Sequence, residues 1–164
     1  MHNNIEMILD IVQTIINYGK LENQIKLSQI NKHMYGSLYV LSVWSDKVNQ
    51  QIIEKRIFSK LKKLKCGGNK KIRNVNHLKN TLKILHCQEY CGIDQNGISE
   101  LQFIEHLDCN FNSKINNVNH LKNTLKVLKC GGNSCGVNQD GISELEYVEE
   151  LDCSNNDKDR KSVV

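Results

Sequence analysis

LKKLKCGGN, residues 61–69, returns as LKILHCQEY (82–90), IEHLDCNFN (104–112), LKVLKCGGN (125–133) and VEELDCSNN (148–156). The cysteines of these phrases, Cys66, Cys87, Cys109, Cys130 and Cys153, stand 21, 22, 21 and 23 residues apart. Self-similarity at such a period marks a chain of stacked units, each burying its apolar side against its neighbours. The unit reads L-x-x-L-x-C-x-x-N, with Asn69, Asn112, Asn133 and Asn156 at the last place and Tyr90 in the second unit. In a strand, side chains alternate between faces. Leu64 and Cys66 therefore share one side and Lys63 and Lys65 the other. The phrase predicts one short strand per unit, the stacked strands forming a parallel sheet with an apolar inner face.

Further apolar residues follow each phrase at steps of about three: Ile72, Val75, Leu78; Ile93, Ile98, Leu101; Ile115, Val118, Leu121; Val137, Ile142, Leu145. They predict a second, convex layer. A longer period overlies the first. NVNHLKNTLK stands at 74–83 and again at 117–126, and GISEL at 97–101 and 141–145. Units thus alternate in two types. The L-x-x-L-x-C-x-x-N unit resembles the leucine-rich repeat, with Cys at the third apolar position. The expected fold is an α/β solenoid of about five short repeats. The resemblance implies that the Asn amides bond backbone groups of neighbouring turns, satisfying polar groups that burial would leave bare.

CGIDQNGISELQF (91–103) and CGVNQDGISELEY (135–147) look like calcium loops. Such a loop needs oxygen ligands at positions 1, 3 and 5, Gly at 6, an apolar residue at 8 and a bidentate Glu at 12. With Gly97 at 6, Asp94 and Asn96 pass, but Gly92, Ser99 and Phe103 fill positions 1, 8 and 12. The second copy fails at Gly136, Ser143 and Tyr147. The reading preferred is a glycine turn between repeat segments, with Ile98 and Ile142 turned inward. Zinc would draw on Cys87, Cys91, Cys130, Cys135, His86 and His106. Parity sends the ladder cysteines inward and the histidines outward, and Cys91 and Cys135 fall in matching convex-side positions where packing is expected, so these do not converge as a structural zinc site requires. No metal and no cofactor is expected, and a metal-binding repeat protein stays a weak third reading.

The first sixty residues carry no repeat. IEMILDIVQTIINY, LENQIKLSQINKHMY and SLYVLSVWSDKV each space apolar residues as helices do, the third through Leu38, Leu41, Trp44 and Val48. A fourth candidate, NQQIIEKRIFSKL, leads into the first repeat. The helices over roughly 4–45, with L-x-x-Q-I-x-L-S-Q-I-N-K-x-M-Y, resemble an F-box, although Ile5-Glu6 or Met7-Ile8 stands where the usual Leu-Pro opening belongs. The chain also resembles the F-box and leucine-rich-repeat proteins abundant in giant DNA viruses of the mimivirus type. That resemblance implies a non-catalytic recognition subunit whose head docks on a Skp1-type adaptor of a cullin ubiquitin ligase. Ile8, Leu9, Ile15, Ile16, Leu27 and Ile30 are the candidates for docking or packing. The alternative is a scaffold whose head only covers the open apolar end of the array. The expected boundaries are 1–48 for the head, 49–60 for a connecting helix or linker, 61–156 for the repeats and 157–164 for a charged tail.

Two columns of outward strand residues are the candidate partner-binding face. One reads Lys63, Ile84, His106, Val127, Glu150 and the other Lys65, His86, Asp108, Lys129, Asp152. The face runs from basic to acidic and suits a protein of mixed charge. After LDCSNN no capping motif is visible, so the last strand is expected to present an edge. The lysine-rich stretch 55–73 has no aromatic platform beside it in sequence, which argues against nucleic acid. No nucleophile, base and orienter fall together, so no enzyme is expected. Composition bounds the rest. The 164 residues are 39% apolar and only 5% aromatic, with net charge +4 and no proline. No run approaches the ~18 apolar residues of a membrane span, and Glu6 and Asp10 interrupt the start where a signal peptide would be cationic. Seven cysteines, an odd number without an export signal, favour reduced thiols. The expected place is the cytoplasm, that of the host cell if the source is viral.

Overall fold

The computed structural model describes residues 13–14, 20, 22–23, 26, 39–44 and 48–158. Among them runs a six-stranded sheet, wholly parallel, with its strands in sequence order. The strands are β1 (Ser42–Trp44), β2 (Lys63–Lys65), β3 (Ile84–His86), β4 (His106–Asp108), β5 (Val127–Lys129) and β6 (Glu150–Asp152). Each is three residues long, since the chain turns away as soon as one leucine has been delivered inward. The register is strict: Val43, Leu64, Leu85, Leu107, Leu128 and Leu151 lie abreast. All are buried except Leu151, which is 51% exposed. Each buried leucine adds roughly 1.5–3 kcal/mol relative to an exposed one.

The crossovers between strands form the second layer. They carry short helical turns at Gln50–Ile53, Arg56–Phe58, Asn76–Leu78, Gln95–Ile98, Asn119–Leu121 and Asp140–Ile142. The apolar residues expected on this side are buried, save Ile142 and Leu145, which pack against the core half-covered. Phe58 contributes an aromatic ring to this core.

Glycine lets adjacent units touch. A Cβ on Gly97 would stand 2.2 Å from the Arg73 carbonyl oxygen, and one on Gly141 2.1 Å from that of Asn116. The Val75 and Val118 amides donate to the Gly97 and Gly141 carbonyls at 2.9 and 2.8 Å. The Asp94 carboxylate and the Asn138 amide oxygen each accept from the glycine N–H three residues on, at 2.9 Å. The two loops that look like calcium sites thus use these oxygens to cap their own turns.

Two expectations are corrected. SLYVLSVWSDKV does not form a helix at its centre. Ser42–Trp44 is a strand, paired parallel to β2, so the sheet begins inside the span assigned to the head. A neighbouring strand offers aligned backbone partners, and Leu41 accepts from the Lys62 and Lys63 amides at 2.9 and 3.1 Å. Val40 and Val43 supply the buried residues there, and Leu41 is only half-covered. Secondly, Asn133 is exposed, whereas Asn69, Asn112 and Asn156 are buried. The inward turn in the second and fourth phrases falls instead on Cys91 and Cys135, whose amides donate to the Gln88 and Gly132 carbonyls. One or two extra residues between ladder cysteine and turn push Tyr90 and Asn133 out to solvent. The inward position therefore alternates: Asn69, Cys91, Asn112, Cys135, Asn156. Asn112 donates to the carbonyls of Cys87 and Ile93 at 2.8 and 3.2 Å, and Asn156 to those of Cys130 and Val137 at 2.8 Å. The interposed cysteines pack on sulfur: Cys91 Sγ lies 3.6 Å from Cys66 Sγ.

Ile8, Leu9, Ile15, Ile16, Leu27 and Ile30 lie outside the described residues. Gln13 is described, and its side-chain amide donates to the Tyr39 carbonyl at 2.5 Å and accepts from the Tyr39 N–H at 3.0 Å. Arg56 and Lys60 stack over the Tyr39 ring, 4.8 and 4.1 Å from its centre. No helix among the described residues is long and apolar enough to cross a membrane.

Candidate partner-binding face

Strand parity decides which side chains stand on the open side of the sheet. With Leu64, Leu85, Leu107 and Leu128 committed inward, their neighbours on each strand point the other way. The register then aligns Ser42, Lys63, Ile84, His106, Val127 and Glu150 in one column. Trp44, Lys65, His86, Asp108, Lys129 and Asp152 share the other register position. The structure thus brings together all ten residues read from the sequence and adds Ser42, with Trp44 at the matching register position of β1. These two were missed because their segment lacks the Leu-x-Cys marker. The β-branched pair Val40 and Val43 was the available signal.

The face is graded in charge and partly self-paired. Asp108 is its busiest group. It accepts from Gln88 Nε2 at 2.5 Å and from the Asn110 amide at 3.3 Å, and His86 Nδ1 lies 3.6 Å away. Half-burial of the His86 ring pushes its pKa below the usual imidazole value. Asp108 opposes that shift, while Lys65, His106 and Lys129 reinforce it. His86 is therefore a neutral hydrogen-bonding group at neutral pH. Lys129 pairs with Glu150 at 3.1 Å, which holds the ammonium pKa up. At the acidic end the Ser154 hydroxyl and amide both donate to Asp152 and hold its carboxyl below the usual range. A shallow depression of about 210 Å³ opens between His86, His106, Asp108, Val127, Lys129 and Glu150. Ile84 and Val127, both half-exposed, give the face its apolar part.

The ladder cysteines Cys66, Cys87, Cys109 and Cys130 lie on the other side of the sheet and are buried, with Cys153 half-covered. Burial raises the Cys87 thiol pKa well above its ordinary value, which keeps it protonated and unreactive. Among the described residues no group of three or more His, Cys, Asp or Glu is placed to hold a metal ion. Such a face can pair charges, donate and accept hydrogen bonds along two columns, and cover an apolar strip.

No protein-family model, no curated protein and no solved structure matches this chain. The functional reading therefore rests on the residues and their geometry.

Proposed function

We propose that the chain is a non-catalytic protein-interaction module, a short leucine-rich-repeat solenoid whose open sheet face grips a protein segment. The observation that carries this reading is the in-register pair of columns, basic at Lys63 and Lys65 and acidic at Glu150 and Asp152. An extended surface of stacked units is what repeat architectures offer to partners, and a charge gradient fixes the direction in which a segment lies. By its F-box-like wording the head would dock on a Skp1-type adaptor, and the repeats would hold the protein to be ubiquitinated. The cytoplasm is the compartment that fits this role.

A second reading is favoured by one contact. The Gln13 amide clamps the backbone of Tyr39 just ahead of β1, as a head that only covers the end of the array would do. The two readings separate in one experiment. Full-length protein, shown folded by circular dichroism, is offered to an immobilised Skp1-type adaptor beside the Leu9→Asp and Ile16→Asp variants. Capture of the parent and its loss in a folded variant supports the adaptor reading. Absence of capture by the folded parent would leave the head as a cap and the chain as a scaffold.

A further inference from the structure

The loops leaving the C-terminal ends of the strands hold a feature apart from the sheet face. The residue two places after each ladder cysteine is left-handed in every unit: Gly68 (φ 71°), Glu89 (54°), Phe111 (58°), Gly132 (91°) and Asn155 (58°). Gly and Asn accept that conformation readily, and a bulky aromatic does not. Phe111 adopts it without the recompense of burial, being 48% exposed. Its ring lies over Gly132, where an added Cβ would fall 2.4 Å from the ring carbons. On the neighbouring loop Tyr90 is 73% exposed. Strain held at an exposed aromatic is not explained by stability and points to use.

These rings border an open groove of about 990 Å³, together with Lys70, Arg73 and Lys114. The Lys70 ammonium sits 5.5 Å from the centre of the Tyr90 ring, and Lys114 Nζ donates to the Cys91 carbonyl at 2.9 Å. None of the three cations makes an ion pair among the described residues. On the convex side, by contrast, Lys79 pairs with Glu100 at 2.8 Å and Lys122 with Glu144 at 2.7 Å. The acidic groups lining the groove are Glu89 and Asp94, and Asp94 is engaged in capping its own turn. The groove is therefore net positive, with two flat rings beside its cations. In sequence Lys70 and Arg73 have no aromatic neighbour. Stacking the units brings Tyr90 and Phe111 to them.

We propose that this groove binds single-stranded nucleic acid, with bases stacking on Phe111 and Tyr90 and phosphates meeting Lys70, Arg73 and Lys114. Stacking platforms beside cations that follow the backbone are the physical means by which single strands are held without a sequence code. An acidic peptide would meet the cations but leave the exposed rings without a planar partner. The proposal is independent of the protein-binding face.

The test is fluorescence anisotropy of a labelled oligouridylate with the full chain. Binding is expected to weaken steadily as salt rises. Phe111→Asn removes the ring and suits the left-handed backbone, so it should melt no lower than the parent yet bind about fivefold or more weakly. Lys114→Gln should weaken binding and flatten the salt dependence. The proposal is overturned if the parent leaves the anisotropy unchanged or if folded Phe111→Asn binds as tightly as the parent. It is equally overturned if poly-glutamate displaces the label as well as unlabelled oligouridylate does, which would make the groove a site for acidic protein.

Discussion

Cys-Gly-Gly-Asn occurs twice, at 66–69 and 130–133, and the two asparagines meet opposite fates. Asn69 is buried and bonds the Val48 carbonyl at 2.8 Å, whereas Asn133 stands in solvent. The three residues after the second tetrapeptide, Ser134, Cys135 and Gly136, make the difference. Gly136 lies so close to the preceding unit that a Cβ would sit 2.4 Å from the Ile115 carbonyl oxygen. That approach fixes Cys135 inward and extrudes Asn133. Gly92 does the same for Cys91, with the Ile72 oxygen 2.3 Å from its would-be Cβ. Cys91 and Cys135 were legible as matching packed positions and are buried, but matching the asparagine alone left the inward turn at Tyr90 and Asn133, where the Cys-Gly pairs at 91–92 and 135–136 were the signal to move it. Energies should follow the structure rather than the motif. Asn112→Ala removes the donor to two carbonyls and the acceptor of the Lys114 amide at 3.0 Å, so urea denaturation should show a loss of about 3 kcal/mol. Asn133→Ala should change stability by less than about 0.5 kcal/mol. Equal losses at the two sites would refute the alternating turn.

At the scale of elements, β2 to β6 were readable to the residue because a period of two recurs five times beside a cysteine marker. β1 was not, because its segment has no cysteine and its spacing of Leu38, Leu41 and Trp44 also fits a helix. A parallel neighbour settled that ambiguity, and no local propensity reveals a neighbour. The helical turns at Gln95–Ile98 and Asp140–Ile142 were foreseen as glycine turns, but their closeness to the preceding unit was not. This closeness makes Gly97→Ala costly. Its methyl group would strike the Arg73 carbonyl, which belongs to backbone and cannot swing away. Thermal and urea melts should show a loss of about 2–3 kcal/mol. Gly68→Ala is the control, since nothing lies within 4 Å and only its φ of 71° resists. About 1 kcal/mol is expected there. A Gly97→Ala protein as stable as the parent would mean that the units stand further apart than described.

For the whole molecule, both columns of the candidate face followed from parity and phase alone, since the strict register carries each unit's pattern to the next. The groove of Tyr90 and Phe111 was not foreseeable in this way. Its residues lie in loops whose lengths differ from unit to unit, and only stacking brings them together. Contacts confined to adjacent units also set where the array opens first. β6 has a strand partner on one side among the described residues, and its Leu151 is half-exposed. Hydrogen exchange should therefore find the Glu150 amide, bonded to the Lys126 carbonyl, less protected than those of Ile84 and Val127, bonded to the Lys62 and Glu105 carbonyls. Uniform protection would instead mean that all the units melt as one body.

The alternation of Asn and Cys at the inward turn bears on how such a chain can change its length. Gly97 and Gly141 admit the Arg73 and Asn116 carbonyls of the unit before them, while the units built on NVNHLKNTLK have no glycine to offer at that junction. Excising a glycine-bearing turn would set two NVNHLKNTLK units face to face, one carbonyl pressing where no hollow receives it. Excising or copying a pair leaves every junction as it was. A lineage that shortens or lengthens this array without refolding it would thus step by two turns at a time, and the unchanged decapeptides at 74–83 and 117–126 are where such a step would leave its seam.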